Sequence, residues 1–300
     1  MKTSILLILI CSPYLSFCQD DLLDVLKKEH EAISSPKKIN YTFKAIKLIN
    51  ANTIETTKKN TLDFRITHRF GNMKIGEAEG QHTLWGIENA SNIRFSFDYG
   101  ITEKLSIGIG RSKVSEHIDG NIKYRFLEQK VKGLPISAAY FTNAAFSGIA
   151  NIPGNKFANR WSYTHQLIIA SKITRGISLE ILPTLVHRNY IYTKVINPEN
   201  GSLDKHDLFA LGFAGRFKLS NRFAFVADYF IPLSDFRTTS NGYYHPLGIG
   251  IEIETGGHVF HINYTNSAGI IENDYIPSTT SSWGNGEYKA GFNISRVFNF

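Results

Sequence analysis

The chain has 300 residues, 42% of them hydrophobic and 13% aromatic, with a formal net charge of +7; that is enough apolar material for a core in one large all-β domain or two ordinary ones. The basic excess is scattered rather than gathered into a Lys/Arg run, so nucleic acid is not an expected partner. No run of eighteen apolar residues is present, which excludes a helical membrane span but not a β-barrel, whose lipid-facing residues are hidden in alternation.

At the start of the chain Lys2 precedes an apolar run, Ile5 to Ile10, and then Ser16-Phe17-Cys18-Gln19. Residues 1–18 read as a secretory signal peptide cleaved before Gln19. Lipidation of Cys18 is the alternative, and Phe17 fits poorly with the small residue expected before a lipidated cysteine. Cleavage removes Cys11 and Cys18, the only cysteines, and with them any disulfide or cysteine-based metal site. Residues 19–59 read as a periplasmic segment. Leu22, Leu23, Val25 and Leu26 make a short apolar stripe at helical spacing, with acids ahead and lysines behind. Residues 41–57 are β-prone and unplaced; they suit either an extra strand or a plug inside a lumen.

From residue 60 to 300 the pattern has period two, the signature of strands with one greasy and one wet face. Leu62, Phe64, Ile66 and Phe70 alternate with Asp63, Arg65, Thr67 and Arg69. Ile93, Phe95, Phe97 and Tyr99 alternate with Arg94, Ser96 and Asp98. Leu105, Ile107 and Ile109 mark a third strand, and Ile118, Ile122, Tyr124 and Phe126 a fourth with Asp119, Asn121, Lys123 and Arg125 opposite. A fifth, Ile136 to Phe146, is blurred by Ala138, Ala139, Ala144 and Ala145. Strands follow over Arg160–Ile173, Ile177–Tyr190, around Phe209–Phe217, Phe223–Ile231, Leu247–Ile253 and Phe260–Tyr264. The final strand, Tyr288 to Phe300, sets Phe292, Ile294, Phe298 and Phe300 against Gly291, Asn293, Ser295 and Asn299, with Arg296 breaking the pattern.

Connections alternate long and short along the chain, as in an up-and-down barrel with short periplasmic turns and long outer loops. The reading is therefore all-β: an up-and-down antiparallel transmembrane β-barrel of about twelve strands in a Gram-negative outer membrane, both termini periplasmic. Its partners are outer-membrane lipid, the barrel assembly machinery, for which Phe292, Ile294, Phe298 and Phe300 form the C-terminal signal, and possible small solutes. The stretches Leu62-Asp-Phe-Arg-Ile-Thr-His-Arg-Phe-Gly71 and Asn121-Ile-Lys-Tyr-Arg-Phe126, within Tyr41 to about Phe146, resemble a family of Bacteroidetes outer-membrane β-barrel proteins of unknown function. The resemblance implies fold and location and brings no catalytic residues with it.

Chemistry is sparse. No histidine has a serine two residues on, the spacing by which a lipid-facing imidazole would activate a hydroxyl. His206-Asp207, and His245 beside Tyr243 and Tyr244, are rim histidines without a third group. His258 and His261 point to opposite faces of one strand and cannot share a metal, and Gly108-Ile-Gly110 and Gly248-Ile-Gly250 lie inside strands rather than ahead of helices. The expectation is no enzyme, no cofactor and no metal. What remains is the lumen, read as lined by Asp63, Arg65, Arg69, Arg94, Asp98, Asp119, Lys123, Arg125, Glu180, Arg188, Arg216, Asp228, Glu252 and Glu254. These either pair across a narrow interior or favour anions in an open one. Ala210, Gly212, Ala214 and Ala224 leave room on one wall for solute or for residues 41–57. A passive pore for small, weakly anion-favoured solutes is the leading reading; a plugged barrel acting through its outer loops is the first alternative and an outer-membrane hydrolase the second.

Overall fold

The computed structural model describes residues 41–149, 156–192 and 195–300; the expected signal peptide and the stripe at Leu22–Leu26 lie outside them. Twelve strands form one closed antiparallel barrel in which each pairs with its sequence neighbours and the last pairs with the first. They are β1 (Thr61–Asn72), β2 (Ala90–Gly100), β3 (Leu105–Ser112), β4 (Ile118–Leu127), β5 (Ser137–Phe146), β6 (Trp161–Lys172), β7 (Ile177–Arg188), β8 (Asp207–Lys218), β9 (Phe223–Leu233), β10 (Leu247–Thr255), β11 (His258–Thr265) and β12 (Lys289–Asn299). Helix α1 (Ala78–His82) sits in the β1–β2 loop and α2 (Glu272–Ser278) in the β11–β12 loop. Closure runs from Thr61↔Asn299 to Arg69↔Gly291 in register. The Phe300 N–H reaches the Asn60 carbonyl at 3.1 Å beyond it.

Burial in the barrel is inverted relative to a soluble protein. Along β1 the buried residues are Thr61, Asp63, Arg65, Thr67 and Arg69, while Leu62, Phe64 and Ile66 are half exposed. Arg69 is fully buried, yet Ile109 is 65% and Ile118 58% exposed. Such a surface is stable only where the surrounding solvent is itself apolar, and the closed sheet leaves no unpaired edge to that solvent. Arg296, the residue that breaks the outward pattern of β12, lays its guanidinium over the Phe298 ring at 4.9 Å.

The inner wall is divided. On β1–β4 and β10–β12 the inward residues are polar or charged. On β5–β9 they are largely apolar: Ala139, Phe141, Ile168, Leu182, Val226 and Phe230 among them. This is why β5 reads ambiguously in the sequence, since both of its faces carry apolar residues. The greasy half-wall does not face water. It packs on Phe43, Leu48, Ile49, Ala51 and Ile54 of the segment ahead of β1, and on Tyr275 and Ile276 of α2. The space suggested by Ala210, Gly212, Ala214 and Ala224 is filled: a Cβ at Gly212 would stand 2.3 Å from the Phe230 ring.

One connection departs from the expected alternation. Counting from β1, odd links lie at one end of the barrel, the long-loop end, and even links at the short-turn end. The short-turn link 128–136 is nevertheless longer than the long-loop link 113–117, and it is tied down by Gln129, whose N–H donates to Ser137 Oγ and whose amide bridges to the Lys172 backbone.

Phe230 packs edge-on against Tyr275, ring centroids 5.0 Å apart, so it joins wall to plug. Phe230→Ala is expected to destabilise the barrel by about 3–5 kcal/mol through lost burial and a residual cavity. The check is the urea midpoint followed by heat-modifiable gel migration; an unchanged midpoint would show that the lumen core contributes little.

Candidate functional site

Residues 41–60 form an inverted hairpin inside the barrel. It enters at the short-turn end, where Lys172 Nζ holds the Tyr41 carbonyl at 2.9 Å and Ser178 Oγ the Thr42 carbonyl at 2.6 Å. It turns over Leu48–Ala51, with the Leu48 N–H on the Ala51 carbonyl at 2.9 Å and Lys47 bridged to Asn52, and descends to β1. Apart from the pairing across its own two arms, and a bridge at its foot from Lys59 to Gly100 of β2, it runs beside no strand, so its remaining backbone groups must find side chains. At the tip, Asp228 Oδ2 accepts from the Asn50 and Ala51 N–H groups at 2.7 and 3.1 Å, and Oδ1 from the Asn50 amide at 3.0 Å. Arg69 donates to the Ile49 carbonyl at 2.8 Å and Asn293 to the Leu48 carbonyl at 2.8 Å. Lower down, Lys123 Nζ gathers the carbonyls of Ile46, Thr53 and Glu55 at 2.9–3.2 Å. Arg125 meets the Glu55 carboxylate at 3.2 Å, and that carboxylate also accepts from the N–H groups of Thr42 and Phe43.

A second plug comes from the long-loop end. The loop between β11 and β12 folds α2 into the barrel mouth, burying Glu272, Asn273, Asp274, Tyr275, Ile276 and Pro277. Asn273 bonds Thr164 Oγ1 and Ser162 Oγ, and Asp274 faces His117 Nδ1 at 3.0 Å. The two plugs meet at Glu272, whose Oε1 accepts from Lys47 Nζ at 3.1 Å and from the Asn52 amide at 2.8 Å. Between them, the polar wall of β1–β4 and Phe141 and Asn143 of β5 a cavity of about 20 Å³ remains, room for about one water.

The residues expected to line the lumen divide into four groups. Arg65, Arg69, Lys123, Arg125 and Asp228 bind the hairpin backbone or its Glu55, and Glu254 binds the hairpin's Lys44 at 3.1 Å. Others pair along the wall. Arg94 grips Asp119, which Asn143 also holds; Arg216 bridges Glu252 and Glu254 at 2.7 and 2.8 Å, with His261 on Glu252. Asp63 lies 3.7 Å from Arg65, and Asp98 accepts from Asn121. Glu180 is fully buried with neither carboxylate oxygen hydrogen-bonded to a described side chain. Arg188 instead stands at the rim, where it and Arg237 clasp Asp204. Phe292, Ile294 and Phe298 pair with β1 residues across the closing seam, and Phe300 follows the strand.

Several residues of this site escape a reading of strands alone: Asn50, Asn52 and Glu55 in the hairpin, Glu272 and Asn273 in α2, Asp204 and Arg237. The available signal was apolar pairs where none is needed, Leu48-Ile49 ahead of the barrel and Ile270-Ile271 with Tyr275-Ile276 inside a long polar loop.

Outside the lumen, three polar groups converge on the lipid face of β5 and β6. His165 Nδ1 is 2.6 Å from the Tyr140 hydroxyl and 3.3 Å from Thr142 Oγ1. The shorter of the two contacts goes to the phenol rather than to the threonine hydroxyl. His187 and Asp207 meet at 2.6 Å near the rim. No group of three or more metal-ligating side chains is assembled among the described residues.

A family model described as "Membrane bound beta barrel domain (DUF5777)" matches residues 43–298. No curated protein matches the sequence. Similar solved structures include the NanC porin, with 11% identity and a TM-score of 0.47 over 80% of this chain and 99% of that one. The KdgM porin in complex with disordered oligogalacturonate has 7% identity and 0.44 over 80% and 99%. LpxR from Salmonella typhimurium has 8% identity and 0.36 over 80% and 100%.

The rim clasp yields a pH prediction. Burial alone would raise the Asp204 carboxyl, but hydrogen bonds from Arg237 and Arg188, and their charges, outweigh it and hold it well below its ordinary value of 3.8. A depressed folded value means stability that is fully present above pH 4 and lost as pH falls toward the folded value. Asp204→Asn should therefore be less stable than the parent at pH 7, with the gap closing as the pH drops below 4, measured as urea midpoints. A gap independent of pH would show that the carboxylate charge is not what holds the loops.

Proposed function

Because the chain belongs to the membrane bound β-barrel domain family, we propose that it is a self-plugged outer-membrane barrel, closed to passive diffusion at rest. It works in the envelope as an interaction protein through its long-loop end and is not an enzyme. The observation that carries this reading is the joint at Glu272, where a plug from each end of the barrel meets the other in the middle of the lumen. The family match begins at Phe43, inside the hairpin, which supports treating the hairpin as part of the domain rather than as a leader. The long-loop end is the outer one in this reading and the termini lie in the periplasm, as the up-and-down topology favours.

A gated channel is the second reading. The small cavity is bordered by Arg65, Arg94, Asp98 and Lys123, on the side where the hairpin is held by polar contacts rather than by apolar packing. A path for weakly anion-favoured solutes would open along that charged wall if the hairpin left it. The cost is exposure of Phe43, Leu48, Ile49 and Ile54, each contributing about 1.5–3 kcal/mol on burial, so spontaneous opening is rare.

The test is single-channel conductance in planar bilayers of three chains: residues 19–300, residues 60–300, and residues 60–300 with 269–279 replaced by a Gly/Ser linker. Silence from the first and steady current from the third is the expected pattern. Steady current from the first would overturn the closed barrel and restore the passive pore, with Arg65, Arg94 and Arg125 the first residues to substitute.

A further inference from the structure

At the long-loop end the loops 234–246 and 266–288 border a cleft of about 550 Å³, a size suited to a small ligand. Its aromatic lining is Tyr229, Tyr243, Tyr244, His245 and Trp283. All of these rings but that of Tyr244 are held by a neighbour. The Trp283 indole stacks on Tyr288 with centroids 4.7 Å apart and planes 19° apart, and its N–H reaches the Leu247 carbonyl at 3.3 Å. Tyr229 Oη and His245 Nδ1 meet at 2.6 Å, and the Arg237 guanidinium lies 5.2 Å from the Tyr243 ring centre.

The polar part of the lining is made of hydroxyls and an amide: Ser234, Thr238, Thr239, Asn266 and Ser282. Among the described residues, the hydroxyls of Thr239, Tyr243 and Tyr244 make no hydrogen bond to another group. The one charged side chain is Arg237, and it is spent: both of its terminal nitrogens go to Asp204 and its Nε to the Pro277 carbonyl at 2.8 Å. An acidic ligand would find no unpaired cation here. An acyl chain would strand the hydroxyls, which lose water without a partner.

We propose that this cleft binds a neutral saccharide. Pyranose rings present flat C–H faces that stack on aromatic planes, and hydroxyls around their edges that pair with Thr, Tyr and Ser. Prefixed rings lower the ordering penalty of such a site. Tyr229 and Leu247 belong to the outward sets of β9 and β10, and Tyr264 and Tyr288, packed edge to face at 6.1 Å, continue the aromatic band beside them. The cleft thus opens where an aromatic girdle meets headgroups. Its sugar therefore comes either from a soluble glycan or from the headgroup of a glycolipid. The proposal rests on the reading of the long-loop end as the outer, working surface.

The experiment uses the full barrel in detergent and reads the temperature at which heat-modifiable migration converts, because a ligand of the folded state raises it. The probes are maltoheptaose, mannohexaose and chitohexaose as soluble sugars, digalactosyl diacylglycerol as the glycolipid, and phosphatidylglycerol as an anionic lipid. Stabilisation by a soluble sugar identifies the glycan source, and stabilisation by the galactolipid alone identifies the headgroup. Trp283→Ala and Tyr243→Ala should each raise the concentration needed by about tenfold or more, with conversion in the absence of probe serving as the folding control. No response to any neutral sugar, a response only to phosphatidylglycerol, or an undiminished response in both variants overturns the proposal. A barrel that is silent in bilayers yet fails these tests loses the saccharide site and keeps its closed lumen.

Discussion

A chain segment inside a barrel must satisfy its backbone without the help of a sheet, and that constraint organises this protein. In the strands, N–H and C=O groups pair automatically with their neighbours. In the hairpin 41–60 the Lys47–Asn52 bridge and a few turn bonds take care of a minority, its own Glu55 and Thr53 take three more groups, and many of the others fall to side chains of the wall. Leaving a buried donor or acceptor unpaired costs about 1–3 kcal/mol. The carboxylate of Asp228, the ammonium of Lys123 and the guanidinium of Arg69 are thus better understood as backbone partners than as pore lining. Each also needs that role for itself, since a charge inside a filled barrel has little water to turn to.

The division of the inner wall follows from the same filling. Apolar packing supplies the driving force for docking the hairpin against β5–β9, and polar contacts along β1–β4 and β10–β12 set its position. Neither half suffices alone. Packing without the ion and amide contacts would leave the tip free to slide, and the polar contacts without packing would have to compete with water in an open lumen. The second plug is tied to the first, because the Glu272 carboxylate accepts from Lys47 and Asn52 of the hairpin.

In the proposed self-plugged barrel, function moves outward as a result. Once the lumen is occupied, the accessible chemistry lies at the rim, where Asp204 ties the loop after β7 to the loop after β9 through Arg188 and Arg237. That clasp shapes the clefts on either side of the 234–246 loop. It also occupies Arg237, the one strong cation lining the aromatic cleft, which leaves that cleft suited to uncharged ligands.

The sequence by itself determined the barrel. Period-two alternation, the alternating link lengths and the aromatic closing strand are local patterns, and local patterns suffice because a strand in a lipid-bounded sheet needs only one apolar and one polar face. Parity also pointed Asp63, Arg94, Asp119, Lys123, Asp228 and Glu252 inward, since side-chain direction in a strand is a matter of counting. What those residues face was decided only by the tertiary structure. Whether an inward Arg meets water, a carboxylate or a carbonyl depends on segments more than a hundred residues distant, as between Asn50 and Asp228 or Lys47 and Glu272. No periodicity encodes such contacts. Residues 41–57 and the α2 loop take their places because the greasy half-wall of β5–β9 must be covered, and that requirement exists only once the barrel has closed.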